Sequence, residues 1–132
     1  NIRFRLKNPQ YNFDSAAGII YEVDITKPAN ERVNIISMAN GDGFDIANKY
    51  KVALTSYRAS GGGDLLTKGA GIAHEELQSR VVSKLGDIRE IMYGQLQEDG
   101  VLKAEKLNQW KFVPEVLAAD LSKKDYNILF GN

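Results

Sequence analysis

The sequence contains no cysteine, one histidine, one tryptophan and three prolines among 132 residues. The missing cysteine rules out disulfides, thiolate metal ligands and a thiol nucleophile, without fixing the compartment. With His74 as its single histidine, the chain cannot supply the several His and carboxylate ligands that a two-metal hydrolytic site brings to both ions. A Ser-His-Asp triad would have to be built around His74, and no nucleophile-elbow pattern accompanies it. Followed by Glu75 and Glu76, His74 reads as a surface or capping residue. Net charge is lacking too, because 17 basic residues balance 17 acidic ones. No broad attraction to a nucleic acid polymer or an acidic membrane surface is therefore implied. No apolar run approaches the ~20 residues of a membrane span, so no transmembrane segment is expected. The opening residues, Asn1 to Asn8, lack the apolar middle region of a signal peptide. No starting Met is present, and the sequence is expected to be one part of a longer protein. Apolar residues at 43% and charged residues at 26% are ordinary globular proportions, and the length fits one domain.

Against this background the stretch from Tyr50 to Gly71 stands out. A hydrophobic segment, expected to be a strand from Lys51 to Ser56, runs into Tyr57 and Arg58. Ser60, Gly61, Gly62, Gly63 and Asp64 follow. Three successive glycines contribute nothing to a core and each costs roughly 0.5–1 kcal/mol of extra backbone entropy relative to Ala inside an element. Such a run makes sense where the backbone bends sharply or lets another group come close. One reading is a ligand-binding loop with Tyr57 as a flat platform; the other is an ordinary turn with a strand-end aromatic. The phosphate-loop pattern is not matched, since Lys68 is followed by Gly69 and not by Ser or Thr.

The rest of the chain supplies a scaffold. Asn1 to Lys7 alternates apolar and basic residues, as a half-exposed strand does. Tyr11 and Phe13, with Asn12 and Asp14, lie in a polar setting and read either as core plugs or as a binding surface. Gly18 to Ile25 has the period of a strand, and Arg32 to Ala39 reads as its antiparallel neighbour. Asn40 to Gly43 is a turn, and Asp45 is placed to cap one helical turn through Lys49. Leu77, Val81, Leu85, Ile88, Met92 and Leu96 recur at steps of four and three, predicting one amphipathic helix from Glu75 to about Glu98. Asn108 to Val113 is a late strand stopped by Pro114, and a short terminal helix is expected after Ser122. The fold class implied is α+β: a mixed or antiparallel sheet with one long amphipathic helix packed on it.

Three segments carry a resemblance. Tyr11 to Asp14 with Ala17 to Pro28, then Tyr50 to Asp64, then Asn108 to Pro114 are together similar to the C-terminal domain of the 5′-nucleotidase family. That family includes 2′,3′-cyclic-nucleotide phosphodiesterases and 3′-nucleotidases. The resemblance implies a substrate-binding domain that stacks the base of a nucleotide or nucleoside between two aromatic rings, here Phe13 and Tyr57. Asp14, Arg58, Ser60 and the glycines Gly61, Gly62 and Gly63 would lie around it, with Asp64 near the family's aspartate. One extra glycine leaves Gly63 as the other occupant of that place. The resemblance also implies that two divalent metal ions and the catalytic residues belong to an N-terminal metallophosphoesterase domain, with no cofactor and no catalytic residue in this chain. Family members use arginine and asparagine residues well upstream of the first aromatic, so the chain resembles a truncated portion of the domain. A periplasmic, secreted or cell-surface location is implied. A stand-alone nucleotide-binding module and a purely structural domain are the alternatives.

Overall fold

A computed structural model of the chain describes residues 13–101 and 105–131. The expected strand from Asn1 to Lys7, and Tyr11 with Asn12, lie outside the described residues. Two compact units make up the chain: Asn1–Lys49 with Lys106–Asn132, and Tyr50–Glu105.

The first unit is built on a mixed three-stranded sheet, which makes the chain α+β. Alternating apolar residues form β1 (Ile19–Asp24), which pairs antiparallel with β2 (Val33–Met38). The pairing slips by one residue between Ile20 and Tyr21, a bulge that keeps Ile19 opposite Met38 and Val23 opposite Val33. At the turn between the strands, the backbone N–H and hydroxyl of Thr26 donate to the Asp24 carboxylate at 2.9 and 2.6 Å. Those two donors, the hydroxyl first, hold the Asp24 carboxyl below its ordinary range. Past β2 the expected turn forms, with the Asp42 N–H donating to Asn40 Oδ1 at 3.1 Å and Gly41 at φ +93°. Asp45 caps a single turn, accepting the Ala47 N–H at 2.9 Å.

Tyr50 to Thr55, where a third strand was expected, has no strand structure, and helix begins at Ser56. Val52 is 72% exposed, and among the described residues no strand pairs with this run to complete a ladder. The second unit therefore starts with a single helical turn, α1 (Ser56–Ala59), in which the Thr55 hydroxyl accepts the Arg58 N–H at 3.3 Å. The predicted helix from Glu75 also breaks. Two tight turns, His74–Glu76 and Gln78–Arg80, flank Leu77, which is 4% exposed and is the buried anchor of this unit. The chain is then irregular until α2 (Ile88–Asp99). Asp87 explains the later start: its carboxylate accepts the Arg89 N–H at 2.7 Å, a stronger N-terminal signal than apolar period alone. Gly100, at φ +72°, ends the helix.

Back in the first unit, β3 (Trp110–Val113) lies parallel to β1, with Tyr21 opposite Trp110 and Val23 opposite Phe112. The terminal helix, α3 (Glu115–Phe130), is longer than expected: it begins directly after Pro114 at Glu115, whose charge suits a helix N-terminus. It is α3 that packs against the sheet at β3. On the polar side, Lys111 bridges Glu115 on α3 and Glu22 on β1, the latter at 3.7 Å.

Candidate functional site

The glycine loop owes its sequence to the two residues before it. After α1 the chain folds back on itself through left-handed Gly61, Gly63 and Asp64, at φ +95°, +70° and +60°. This brings the backbone of Gly62 against the Tyr57 ring: a Cβ there would stand 2.5 Å from Cε2 and 2.6 Å from Cδ2 and Cζ. At Gly63 a Cβ would collide with the Arg58 guanidinium. That guanidinium donates to the Gly62 carbonyl at 3.2 Å and lies 5.5 Å from the centre of the Tyr57 ring. Gly61 faces the imidazole of His74, which a Cβ would meet at 3.1 Å, and Leu77 at 3.2 Å. The three glycines thus face three separate neighbours, the Tyr57 ring at Gly62, Arg58 at Gly63 and His74 at Gly61. The Tyr57 ring, backed by this loop, is still 62% exposed.

The polar candidates on the loop bond largely within it. Ser60 donates its hydroxyl to the Tyr57 carbonyl at 3.1 Å. Asp64 accepts from Lys68 at 2.7 Å and from the Thr67 hydroxyl at 3.4 Å. The hydrogen bond from Lys68, and then its charge, hold the Asp64 carboxyl below its ordinary range, and the same contact raises Lys68.

Phe13 and Asp14 belong to the other unit, in the segment that leads into β1, and both are exposed. Phe13 takes part in an aromatic cluster on one face of the sheet. Its ring centre lies 5.5 Å from that of Trp110 and 6.2 Å from that of Phe112. Trp110 in turn stacks on Tyr21 at 5.9 Å and meets Phe112 edge-on at 5.2 Å. Beside the cluster a groove of about 570 Å³ runs along β3, lined by Ser15, Ala17, Lys106, Asn108, Gln109 and Trp110. Gln109 ties the segment down, its side-chain oxygen accepting the Gly18 N–H at 2.8 Å.

Tyr57, Arg58, Ser60, the glycines and Asp64 are therefore brought together in one unit, while Phe13 and Asp14 sit among the sheet residues of the other. Sequence reasoning did not pick out Trp110 and Phe112 as neighbours of Phe13. The signal was their spacing of two, which on a strand puts both rings on one face. Nor did it connect His74 with the glycines, a contact that no local pattern encodes. Among the described residues no cluster of three or more His, Cys, Asp or Glu is arranged to hold a metal ion. Among the same residues no helix is long and apolar enough to cross a membrane.

Comparison with known proteins gives two matches. Residues 5–68, a stretch that includes every candidate from Phe13 to Asp64, match the family model for the 5′-nucleotidase, C-terminal domain. Over 118 residues the chain is 30% identical to the trifunctional nucleotide phosphoesterase protein YfkN of Bacillus subtilis (strain 168). That alignment covers 79% of this chain and 7% of the relative, so the chain spans only a small part of that protein's length. No solved structure matches the chain.

Proposed function

The chain belongs, through residues 5–68, to the 5′-nucleotidase C-terminal domain family, and on that premise we propose that it is the base-binding portion of a nucleotide phosphohydrolase. The observation that carries the proposal is the Tyr57 ring, held against a backbone with no room for a Cβ and yet left largely exposed. A flat ring fixed in this way is suited to a heterocycle, and stacking contributes roughly 1–3 kcal/mol per base with little regard to which base it is. The family resemblance gives Phe13 the part of the second ring, and Asp14 and Ser60 those of polar contacts with base or ribose. Arg58 braces the loop through the Gly62 carbonyl and the Tyr57 ring. Asp64 acts in the same way through Lys68.

Hydrolysis belongs, in this reading, to an N-terminal metallophosphoesterase domain carrying two divalent metal ions. This chain's part, in the same reading, is to bind and orient the nucleotide. A nucleotide substrate is in keeping with the relative's description as a nucleotide phosphoesterase. A periplasmic, secreted or cell-surface location follows from family resemblance and forms part of the same proposal.

The test is a titration of the complete protein with adenosine. A Phe13→Ala, Tyr57→Ala double variant is expected to bind at least about fivefold more weakly, the loss of about 1 kcal/mol or more of stacking. Unchanged affinity would remove the reading. The coding sequence upstream of Asn1 separates a hydrolase from a stand-alone module, since a metallophosphoesterase region rich in His and Asp belongs only to the first.

A further inference from the structure

We propose that Trp110 and Phe112 are positioning residues for the Phe13 ring, so that strand β3 sets the attitude of that ring. The inference rests on the reading of Phe13 as a stacking ring. From Phe13 to Gly18 the backbone forms neither helix nor strand. The Ala16 N–H donates to the Tyr21 hydroxyl at 3.1 Å and the Gly18 N–H to Gln109 at 2.8 Å, three and five residues past the ring. The ring itself touches two aromatic side chains of β3. Trp110 lies 5.5 Å from it with a tilt of 36°, and Phe112 lies 6.2 Å from it with a tilt of 57°.

Those two rings are themselves held. Trp110 is nearly parallel to Tyr21, at 14°, and at right angles to Phe112. Tyr21 is 7% exposed and sits on the central strand, opposite Trp110 in the ladder. Order thus passes outward from the buried Tyr21 through half-buried Trp110 to Phe13, which is 55% exposed. A ring held in its binding orientation beforehand gives up less rotational freedom when a base stacks on it. Trp110 and Phe112 would favour binding in this way without touching the ligand.

A double-mutant cycle on the complete protein, read by adenosine titration, tests this. Trp110→Leu is expected to weaken binding about threefold to tenfold, the range of an aromatic pair contact. Trp110→Phe, which keeps a ring, should recover most of that loss. In a Phe13→Ala background the same Trp110→Leu change should do nothing more, because no ring remains to be oriented. If Trp110→Leu fails to fold, Phe112→Leu, at a position 38% exposed, carries the same cycle. Wild-type affinity in a folded Trp110→Leu or Phe112→Leu variant would overturn the inference, and so would effects that simply add to those of Phe13→Ala. If Phe13→Ala alone leaves adenosine binding intact, the stacking role of Phe13 fails and the positioning role falls with it. If Phe13→Ala weakens binding while the β3 variants do not, only the positioning role is lost.

Discussion

Replacing Gly62 with alanine would displace the Tyr57 ring without altering either aromatic residue. Gly62 is not among the residues with positive φ, so alanine can adopt its backbone conformation. By narrowing the unfolded ensemble, the change by itself should add about 0.4–1 kcal/mol of stability. The new Cβ, however, would lie 2.5 Å from Tyr57 Cε2, well inside the roughly 3.5–4.0 Å at which carbon atoms attract. The ring has to swing away. Being 62% exposed, it has room to do so and has little buried area to lose, which at ~25 cal/mol per Å² costs on the order of 1 kcal/mol. The two stability terms nearly offset each other, and the folded protein should change by no more than about 1 kcal/mol. Binding has no such compensation. Loss of one stacked ring costs roughly 1–3 kcal/mol, so adenosine affinity should fall about 5- to 150-fold. Calorimetric titration of the complete protein, paired with a thermal melt, separates the two effects. Gly86→Ala is the control, since nothing lies within 4 Å of a Cβ at Gly86. Wild-type affinity in Gly62→Ala would refute the idea that the glycine holds Tyr57 in a binding position.

Two other expectations concern the scaffold and the loop. Asp87→Ala removes the carboxylate that accepts the Arg89 N–H at the start of α2, and should cost about 1 kcal/mol; a thermal midpoint equal to wild type would contradict the cap. Asp64→Asn keeps a residue that tolerates the left-handed backbone at φ +60° while removing the charge. Because Lys68 holds the Asp64 carboxyl below its ordinary range, the carboxylate stabilises the fold at neutral pH. That contribution is full above the unfolded carboxyl's range and is lost as pH falls through the lowered folded value. The wild type should therefore melt higher than Asp64→Asn at neutral pH, with the gap closing on acidification to about pH 2; a gap that persisted in acid would point to another cause.

Strand periodicity was legible at β1, where Ile19, Tyr21 and Val23 alternate with polar residues, and the Asn40 to Gly43 turn was legible from composition. The segment before Pro114 was likewise readable as a strand. Periodicity misled where two conformations share it. The Lys51 to Ser56 run is apolar enough for a strand but has none, and the stripe from Leu77 to Leu96 becomes tight turns and an irregular stretch before it becomes α2. Leu77 is buried while Leu85 is 76% exposed, a distinction that spacing alone does not carry.

By itself the sequence determined the absence of cysteine chemistry, the resemblance to the 5′-nucleotidase C-terminal domain family over residues 5–68, and the presence of an aromatic beside a glycine run. These depend on residue type and local order, which are properties of the chain before it folds. Only the tertiary structure decided which neighbour each glycine faces: the Tyr57 ring at Gly62, Arg58 at Gly63 and His74 at Gly61. It alone decided, too, that Phe13 rests on Trp110 and Phe112, far along the chain. Such contacts are set by where the backbone turns and by which strands pair, and steric exclusion between groups distant in sequence leaves no periodic trace in it.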